Sequence, residues 1–514
     1  MTEGQPETPE QVLEAMDHFG IHEALCVDPL GRETNPMGGN ERIIERTADH
    51  PRLHPAWTGL MPQSREFPPP DEFVTQMHEQ GVGALYLFYR QFDIRLEDWG
   101  IDPLLEALAE KRVPVFLSPD NRREPGKIDV TDWTNVVRIC REFPELPVVV
   151  TERRIYKSQR AVWAALEECP NLKVDLASLW LHGAAEFCCR EFGADHLIWG
   201  SHLPDRTPAS ILMQLNYSDI SDDELAAIAG GNLRAMLSWN DNIEFADADE
   251  IEFSEPLDEL HEKARSRASF EDEEFFDCHG HIGWCTPHHV IHDTPADMVE
   301  EMDKFGVQKC LVFSIGAAFG DETWCNDRVA EVIKEFPDRL IGFTFINLNH
   351  GPRLIKQELE RGMEMGMQGI KLIAHYQGYP TEGPNVDIPC EFAHEHGLFI
   401  LNHDWGSPEQ MRRLCKTYPD ALFITGHSKS TYGDIVQEVD NLYICTCPFL
   451  AWGQTERFVE IYPPERIMFG SDLTDLPIGW GLAQIMYADI PEVDKRKILG
   501  ENLRRLLPEY TEGH

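Results

Sequence analysis

The chain writes one unit twice, and that repetition constrains its fold more than any other feature. "TPEQVLEAMDHFGIHEAL" at 8 to 25 is matched by "TPADMVEEMDKFGVQKCL" at 294 to 311. "LIWGSHLPD" at 197 to 205 is matched by "IMFGSDLTD" at 467 to 475, and "IAGGNLRAML" at 228 to 237 by "ILGENLRRLL" at 498 to 507. The order is kept while the offset shrinks from 286 to 270 positions, as loops of unequal length make it do in duplicated domains. With 514 residues in all, each half is long enough to bury a core of its own.

Within the second half, short β-branched and aromatic runs alternate with amphipathic stretches, the pattern of alternating strand and helix. The runs are "FFDCHGH" (275 to 281), "CLVFSI" (310 to 315), "LIGFTFIN" (340 to 347), "GIKLIAH" (369 to 375), "LFILNHD" (398 to 404), "ALFITGHS" (421 to 428), "LYICTCP" (442 to 448) and "IMFGSDL" (467 to 473). Eight such units predict a (β/α)8 barrel. The rival, an open doubly wound sheet, calls for a Gly-rich phosphate turn after the first strand, and "FFDCHGH" is not followed by one. The first half offers seven runs: "ALCVDPL" (24 to 30), "HPAWTGLM" (54 to 61), "ALYLFY" (84 to 89), "VPVFLSP" (113 to 119), "LPVVVTE" (146 to 152), "KVDLASL" (173 to 179) and "HLIWGSHL" (196 to 203). It begins at the equivalent of the second strand.

The fold expected is therefore α/β, two tandem TIM-barrel-like (β/α)8 domains, the first lacking the strand that reads "FFDCHGH" in the second. The boundaries are 1–240 for the first barrel, 241–273 for an acidic linker, and 274–514 for the second barrel. The stretch from 241 to 277 holds 15 acidic residues, and within it "NIEF" or "EIEF" is a candidate displaced strand closing the first barrel.

Charge narrows the function classes. Against 45 Lys and Arg stand 89 Asp and Glu, a formal net charge of -44, so polyanions are repelled and nucleic acid is excluded as a partner. Apolar content of 42% still suffices for folded cores. Such self-repulsion needs screening, which about 1 M salt supplies with a Debye length of about 3 Å, so the chain reads as a halophilic protein. No run approaches a membrane span, and "MTEGQPETPEQ" lacks the basic and apolar regions of a signal peptide, which points to the cytoplasm without membrane contact. The 13 Cys, irregularly placed, read as reduced core residues, with Cys445 and Cys447 on the seventh strand of the second half as core or mouth-lining thiols.

On a strand, residues two apart share a face, so His279 and His281 project together and can share a cation. A lone HxH is a weak signal. Here His403 ends the fifth strand, His427 the sixth and Asp472 the eighth, and in a (β/α)8 barrel all carboxyl ends meet at one mouth. Four histidines and a carboxylate so placed are hard to explain as separate packed core residues. In the first half the matching positions hold Pro119, Arg153 and His202, Leu85 stands opposite Lys371, and nothing corresponds to His279 or His281, which predicts a pseudo-domain without metal.

The phrases "DCHGH", "GIKLIAHYQGY", "LNHDW", "TGHS", "FGSDL" and "GENLRRLL", in this order over nearly all of 274 to 507, resemble the amidohydrolase superfamily, in its amidohydrolase-related branch with aminocarboxymuconate-semialdehyde decarboxylase and related hydrolases. Over 8 to 237 the resemblance covers the scaffold but not the ligands. It implies that His279, His281, His403 and Asp472 bind one divalent metal, and that Asp472 also shuttles a proton. His427 is then a catalytic residue that polarises the substrate or transfers protons. Lys371 occupies the place where binuclear relatives bridge two metals through a carboxylated lysine, and it is equally a substrate-contacting or buried structural lysine. His375 and Trp405 join Lys371 as substrate-binding candidates. Tyr376, Tyr379, Trp324 and Trp405 read either as a pocket for a planar substrate or as packing.

Zinc suits an imidazole-rich set, and manganese and iron accept it. A bound divalent cation can lower the pKa of water from about 15.7 to about 7, which makes a nucleophile available at neutral pH. The leading expectation is a metal-dependent hydrolase of a small carboxylate-bearing molecule, cleaving an amide, ester or lactone. The alternative is nonoxidative decarboxylation of an aromatic or unsaturated acid, and a third, of another class, is a non-catalytic metal-binding or scaffold protein. Because barrels of this family often pair, the resemblance also implies pairing of the two barrels within the chain, and homo-oligomers beyond it.

Overall fold

The computed structural model describes residues 5–123, 130–155, 158–283 and 289–508. It divides into two compact units, Met1–Ile211 with Leu215–Glu255, and Pro256–His514 with Leu212–Gln214. The acidic stretch 241–273 is thus shared between the two units.

In the first unit seven strands, β1 (Ala24–Cys26), β2 (Leu53–Thr58), β3 (Ala84–Phe88), β4 (Val115–Ser118), β5 (Val148–Val150), β6 (Leu172–Asp175) and β7 (Leu197–Ile198), pair in sequence order as one parallel sheet. In the second unit eight strands do the same: β8 (Phe275–His281), β9 (Val307–Phe313), β10 (Leu340–Phe345), β11 (Gly369–Leu372), β12 (Phe399–Asn402), β13 (Leu422–Thr425), β14 (Leu442–Cys445) and β15 (Ile467–Met468). Every run singled out in the sequence carries one of these strands. Apart from β1, which is only half-buried, the strands are buried almost throughout, as parallel strands covered on both faces must be, which is why they read as continuous apolar stretches rather than alternating ones.

Hydrogen bonds bring β8 to the chain that follows β15. Cys278 N donates to Phe469 O at 2.9 Å, Asp472 N donates to His279 O at 2.9 Å, and Gly280 bridges Leu473. The eight strands therefore come close to a closed barrel, whereas the seven-stranded sheet of the first unit is an open barrel-like arc.

The repeated phrases have physical reasons. Thr8 and Thr294 each cap a helix (Pro9–Phe19 and Pro295–Lys304), with a proline in the first turn and a side chain at the third position closing a capping box. In "GNLR" and "ENLR" the asparagine ties the last helical segment to the final strand. Asn232 Nδ2 donates to Ala194 O and Leu197 O, each at 2.8 Å, and Asn502 Nδ2 donates to Pro464 O and Ile467 O, each at 2.7 Å.

The displaced strand expected from "NIEF" or "EIEF" does not form. Ile243 and Phe245 pack against the first unit's core cluster, but the backbone donors beside them are taken locally. Ile243 N donates to Asn240 O at 3.3 Å and Ala246 N to Glu23 Oε1 at 2.7 Å, so the segment is held by its apolar side chains and caps rather than by a ladder. Among the described residues no helix is long and apolar enough to cross a membrane.

Glu152, just past β5, is buried and accepts from Thr131 N at 3.1 Å and Thr131 Oγ1 at 2.6 Å. Burial, opposed by those two hydrogen bonds, pushes its carboxyl up to about 7. The folded pKa then lies above the unfolded one, so the contribution to stability is full below the unfolded pKa and is lost as pH rises through about 7. Thermal melts are expected to lose about 1 to 3 kcal/mol between pH 5 and pH 8 from this group, and Glu152→Gln, which keeps the acceptor, should flatten that part of the profile. A wild-type profile that Glu152→Gln leaves unaltered would refute the assignment.

Candidate metal centre

Strand β8 ends in the HxH pair. His279 and His281 are buried, and their Nε2 atoms lie 3.3 Å apart. Asp472 Oδ1 is 3.3 Å from His281 Nε2 and 3.6 Å from His279 Nε2. Among the described residues, these three side chains form the one cluster of His, Cys, Asp and Glu whose ligand atoms all lie within 4.8 Å of one another.

The turn that presents Asp472 follows from its neighbours. A Cβ on Gly470 would stand 2.5 Å from Cys445 Sγ and 2.9 Å from His279 Cβ, so only glycine lets the chain pass this close to β8. Asp472 itself adopts a left-handed backbone, φ 66°, which aspartate tolerates better than most residues.

The remaining predicted residues fall around this cluster, Lys371 on its strand and the others one to a few positions past theirs. His403, after β12, is buried, and neither ring nitrogen has a hydrogen-bond partner among the described residues. Its ring centroid is 5.7 Å from that of His279 and 4.2 Å from that of His427. An imidazole with both nitrogens orphaned in the interior forgoes about 1 to 3 kcal/mol per group unless something binds there, and a cation is what imidazoles, having a lone pair to give, accept. The donor set thus fits a divalent metal held by His279, His281 and Asp472 with His403 beside them.

Lys371, on β11, is fully buried with Nζ 3.3 Å from His279 Nε2 and 3.9 Å from the centre of the Phe313 ring. Burial pushes its ammonium down to about 7, against the pull of Asp472. Burial likewise lowers His427 to about 4 and holds His403 well below the usual imidazole range, so both rings are neutral at pH 7. Burial works against the Asp472 carboxylate too, yet the facing His281 and His279 keep it below the ordinary aspartate value.

His375 lies exposed at the mouth, its ring 5.9 Å from that of His403. Trp405 is 1% exposed, donates Nε1–H to Ile424 O at 2.9 Å and packs edge-on against Phe423. That position gives Trp405 a packing role in place of the substrate contact expected of it. Tyr376, 44% exposed, takes the aromatic place instead, its ring 5.5 Å from His403 and 5.7 Å from the exposed Phe319.

Sequence reasoning did not single out Asp277, Asp475 or Ser471. Asp277, wholly buried on β8, accepts from His279 N at 2.9 Å and Ser471 N at 3.1 Å through Oδ1, and from Ser471 Oγ at 2.5 Å through Oδ2. One carboxyl therefore straps the HxH strand to the turn carrying Asp472. Asp475 Oδ2 lies 3.5 Å from His281 Nδ1, the carboxylate-behind-histidine arrangement that orients a ligating ring. The signal for Asp277 was its place two before His279, on the same face. Asp475 carried none apart from the repeat, where Asp205 matches it.

In the first barrel His202 keeps the left-handed backbone, φ 53°, but turns its Nε2 to Asp175 Oδ2 at 2.5 Å. Asp175 ends β6 as Cys445 ends β14. Pro119 and Arg153 stand in loops after β4 and β5, and no side-chain group there matches the cluster of the second barrel among the described residues.

A sequence model of the amidohydrolase family matches the chain twice, over residues 4–239 and 276–508. No curated protein matches it. Solved structures similar to it include that of an amidohydrolase of unassigned activity from Staphylococcus aureus, with 15% identity over 46% of this chain and 99% of that one and a TM-score of 0.37. Another is 5-carboxyvanillate decarboxylase from Novosphingobium aromaticivorans, complexed with manganese and 4-hydroxy-3-methoxy-5-nitrobenzoic acid, with 14% identity, 46% and 96% coverage and a TM-score of 0.38. A third is 2,6-dihydroxybenzoate decarboxylase from Rhizobium, with 16% identity, 46% and 98% coverage and a TM-score of 0.37.

Proposed function

The chain belongs to the amidohydrolase family in both halves, and from that premise we propose that its second barrel is a metal-dependent enzyme that decarboxylates a planar aromatic or unsaturated carboxylic acid. The observation that carries the choice of substrate is the aromatic wall of the mouth. Tyr376 and Phe319, both exposed, lead from solvent to the His403 ring, a surface that a flat ring covers well and a flexible amide poorly.

His279, His281 and Asp472, with His403 beside them, would hold the metal. When bound, a divalent cation supplies Lewis-acid attraction for the substrate's carboxylate and for electron density released as the C–C bond breaks. Lys371 Nζ adds positive charge on the side of His279 and helps bind the carboxylate. Tyr376 orients the ring. Neutral His427, facing His403, offers hydrogen bonding without adding charge. In the balanced step the Asp472 carboxylate takes a proton from water and passes it to the ring carbon, the C–C bond to the substrate carboxylate breaks with its electron pair left on that carbon, and CO2 departs with hydroxide remaining.

A second reading, hydrolysis of an amide, ester or lactone, rests on the same donor set, since Asp472 could equally take a proton from an attacking water and return it to the leaving group. Assays of the metal-loaded chain in high salt against hydroxybenzoates, lactones and amides separate the two. Release of CO2 without hydrolysis is the expected result. Hydrolysis without CO2 replaces the first reading with the second, and inactivity toward all three with every divalent metal tried would leave a binding protein.

Tyr376→Ala is expected to raise KM for an aromatic acid about fivefold with a smaller change in kcat, since loss of one stacking face is worth about 1 kcal/mol. Equal KM in the two proteins would remove the aromatic wall as the source of substrate preference.

A further inference from the structure

The mouth of the first barrel carries charge opposite in sign to the rest of the molecule. In a chain of net charge -44, Arg32, Arg122, Arg153 and Arg206 gather there with Asp120, Asp175 and Asp205, Arg32 and Arg122 pairing through their guanidiniums and Arg153 through its backbone N–H. All three carboxylates are already engaged. Asp205 Oδ2 takes Arg32 Nη1 at 2.6 Å as well as Arg122, and Asp120 takes Arg32 Nη2 at 3.5 Å and Arg153 N at 3.0 Å. Asp175 takes His202 Nε2 at 2.5 Å and Thr151 Oγ1 at 3.2 Å.

Arg206 is left over. It is 7% exposed, and among the described residues its guanidinium hydrogen-bonds only carbonyl oxygens, Arg153 O and Ala177 O, the latter at 3.4 Å. Asp120, Asp175 and Asp205 attract it without a hydrogen bond to it, each being engaged elsewhere, so this buried cation lacks the directly paired anion that would offset its lost hydration. Trp180 steadies this group and its neighbour, with Arg206 5.1 Å and Arg154 4.2 Å from its ring centre. Arg153, on the loop after β5, is exposed and stands where the second barrel has His427, so the cationic site opens to solvent on the side where the other barrel gathers its histidines.

We propose that the mouth of the first barrel binds a small monocarboxylate, held by Arg206 and Arg153, without a metal. With Arg154 on the same Trp180 ring, guanidiniums outnumber the carboxylates of this mouth, an excess of positive charge that an anion neutralises. The planar fork of a guanidinium also matches the two oxygens of a carboxylate. The duplicated barrels then share a taste for carboxylates, one meeting them with a metal and the other with arginine.

The test is calorimetric titration of benzoate into the full-length chain after divalent metal has been stripped with a chelator, with inorganic phosphate as the comparison anion. One benzoate per chain should bind after stripping. Arg153→Gln, at an exposed position outside the second barrel, should raise its Kd at least tenfold while leaving metal-dependent turnover unchanged, and Arg206→Lys should act in the same direction. Phosphate at equal concentration should not displace benzoate. Absence of binding to the stripped chain, an unchanged Kd in Arg153→Gln, or displacement by phosphate would each overturn the proposal. Should Arg206→Lys fail to fold, Arg153→Gln still decides.

Discussion

Asp472→Asn is expected to leave the second barrel folded and to lower turnover about 10³-fold, within the range of 10² to 10⁴ that a positioned acid–base group contributes. The substitution keeps size and hydrogen-bonding shape but removes both the charge that faces His279 and His281 at 3.6 and 3.3 Å and the atom that carries the proton. Circular dichroism should be that of the wild type, and bound metal, measured on the dialysed chain, should fall as well. Activity within a factor of ten of the wild type would mean that the cluster is not the reacting centre, because no other carboxylate among the described residues shares the space between those two imidazoles.

Asp277→Ala is expected to destabilise the second barrel by about 3 kcal/mol, because three donors, His279 N, Ser471 N and Ser471 Oγ, lose their acceptor in a place water does not reach. Metal affinity should fall with it by about 10- to 100-fold, the usual effect of losing the partners that orient a ligand. Asp277→Asn retains an acceptor oxygen and should lose much less of both. If denaturant titrations of the alanine variant superimpose on those of the wild type, the strap between β8 and the Asp472 turn has no energetic weight.

Strand positions were legible because parallel strands buried on both faces leave uninterrupted apolar runs, and all fifteen such runs carry a strand. The HxH pair was legible from the period of two. Two kinds of error remained. Ile243 and Phe245 have the alternation of a strand, yet alternation reports only which side chains are buried, not whether the backbone finds a ladder, and here Asn240 and Glu23 took the donors. Trp405 sits in a motif rich in ligands, but its neighbours in sequence did not reveal that its ring turns inward against Phe423. Asp277 shows its place two before His279 on the same face, but its role becomes legible only once Ser471, far along the chain, is seen against it.

The paired left-handed residues bear on how the two halves came to differ. His202 and Asp472 share a backbone conformation that costs a side-chain-bearing residue about 1 kcal/mol, although Asp472 faces the two histidines of the cluster and His202 faces only Asp175. Histidine, like aspartate, tolerates that geometry better than most residues, yet among the described residues no ligand cluster faces His202. The two copies thus share the turn while differing in the side chain it presents. Divergence here has worked by exchanging side chains on a conserved path of the main chain. At this turn the main chain keeps a likeness that the side chains have lost.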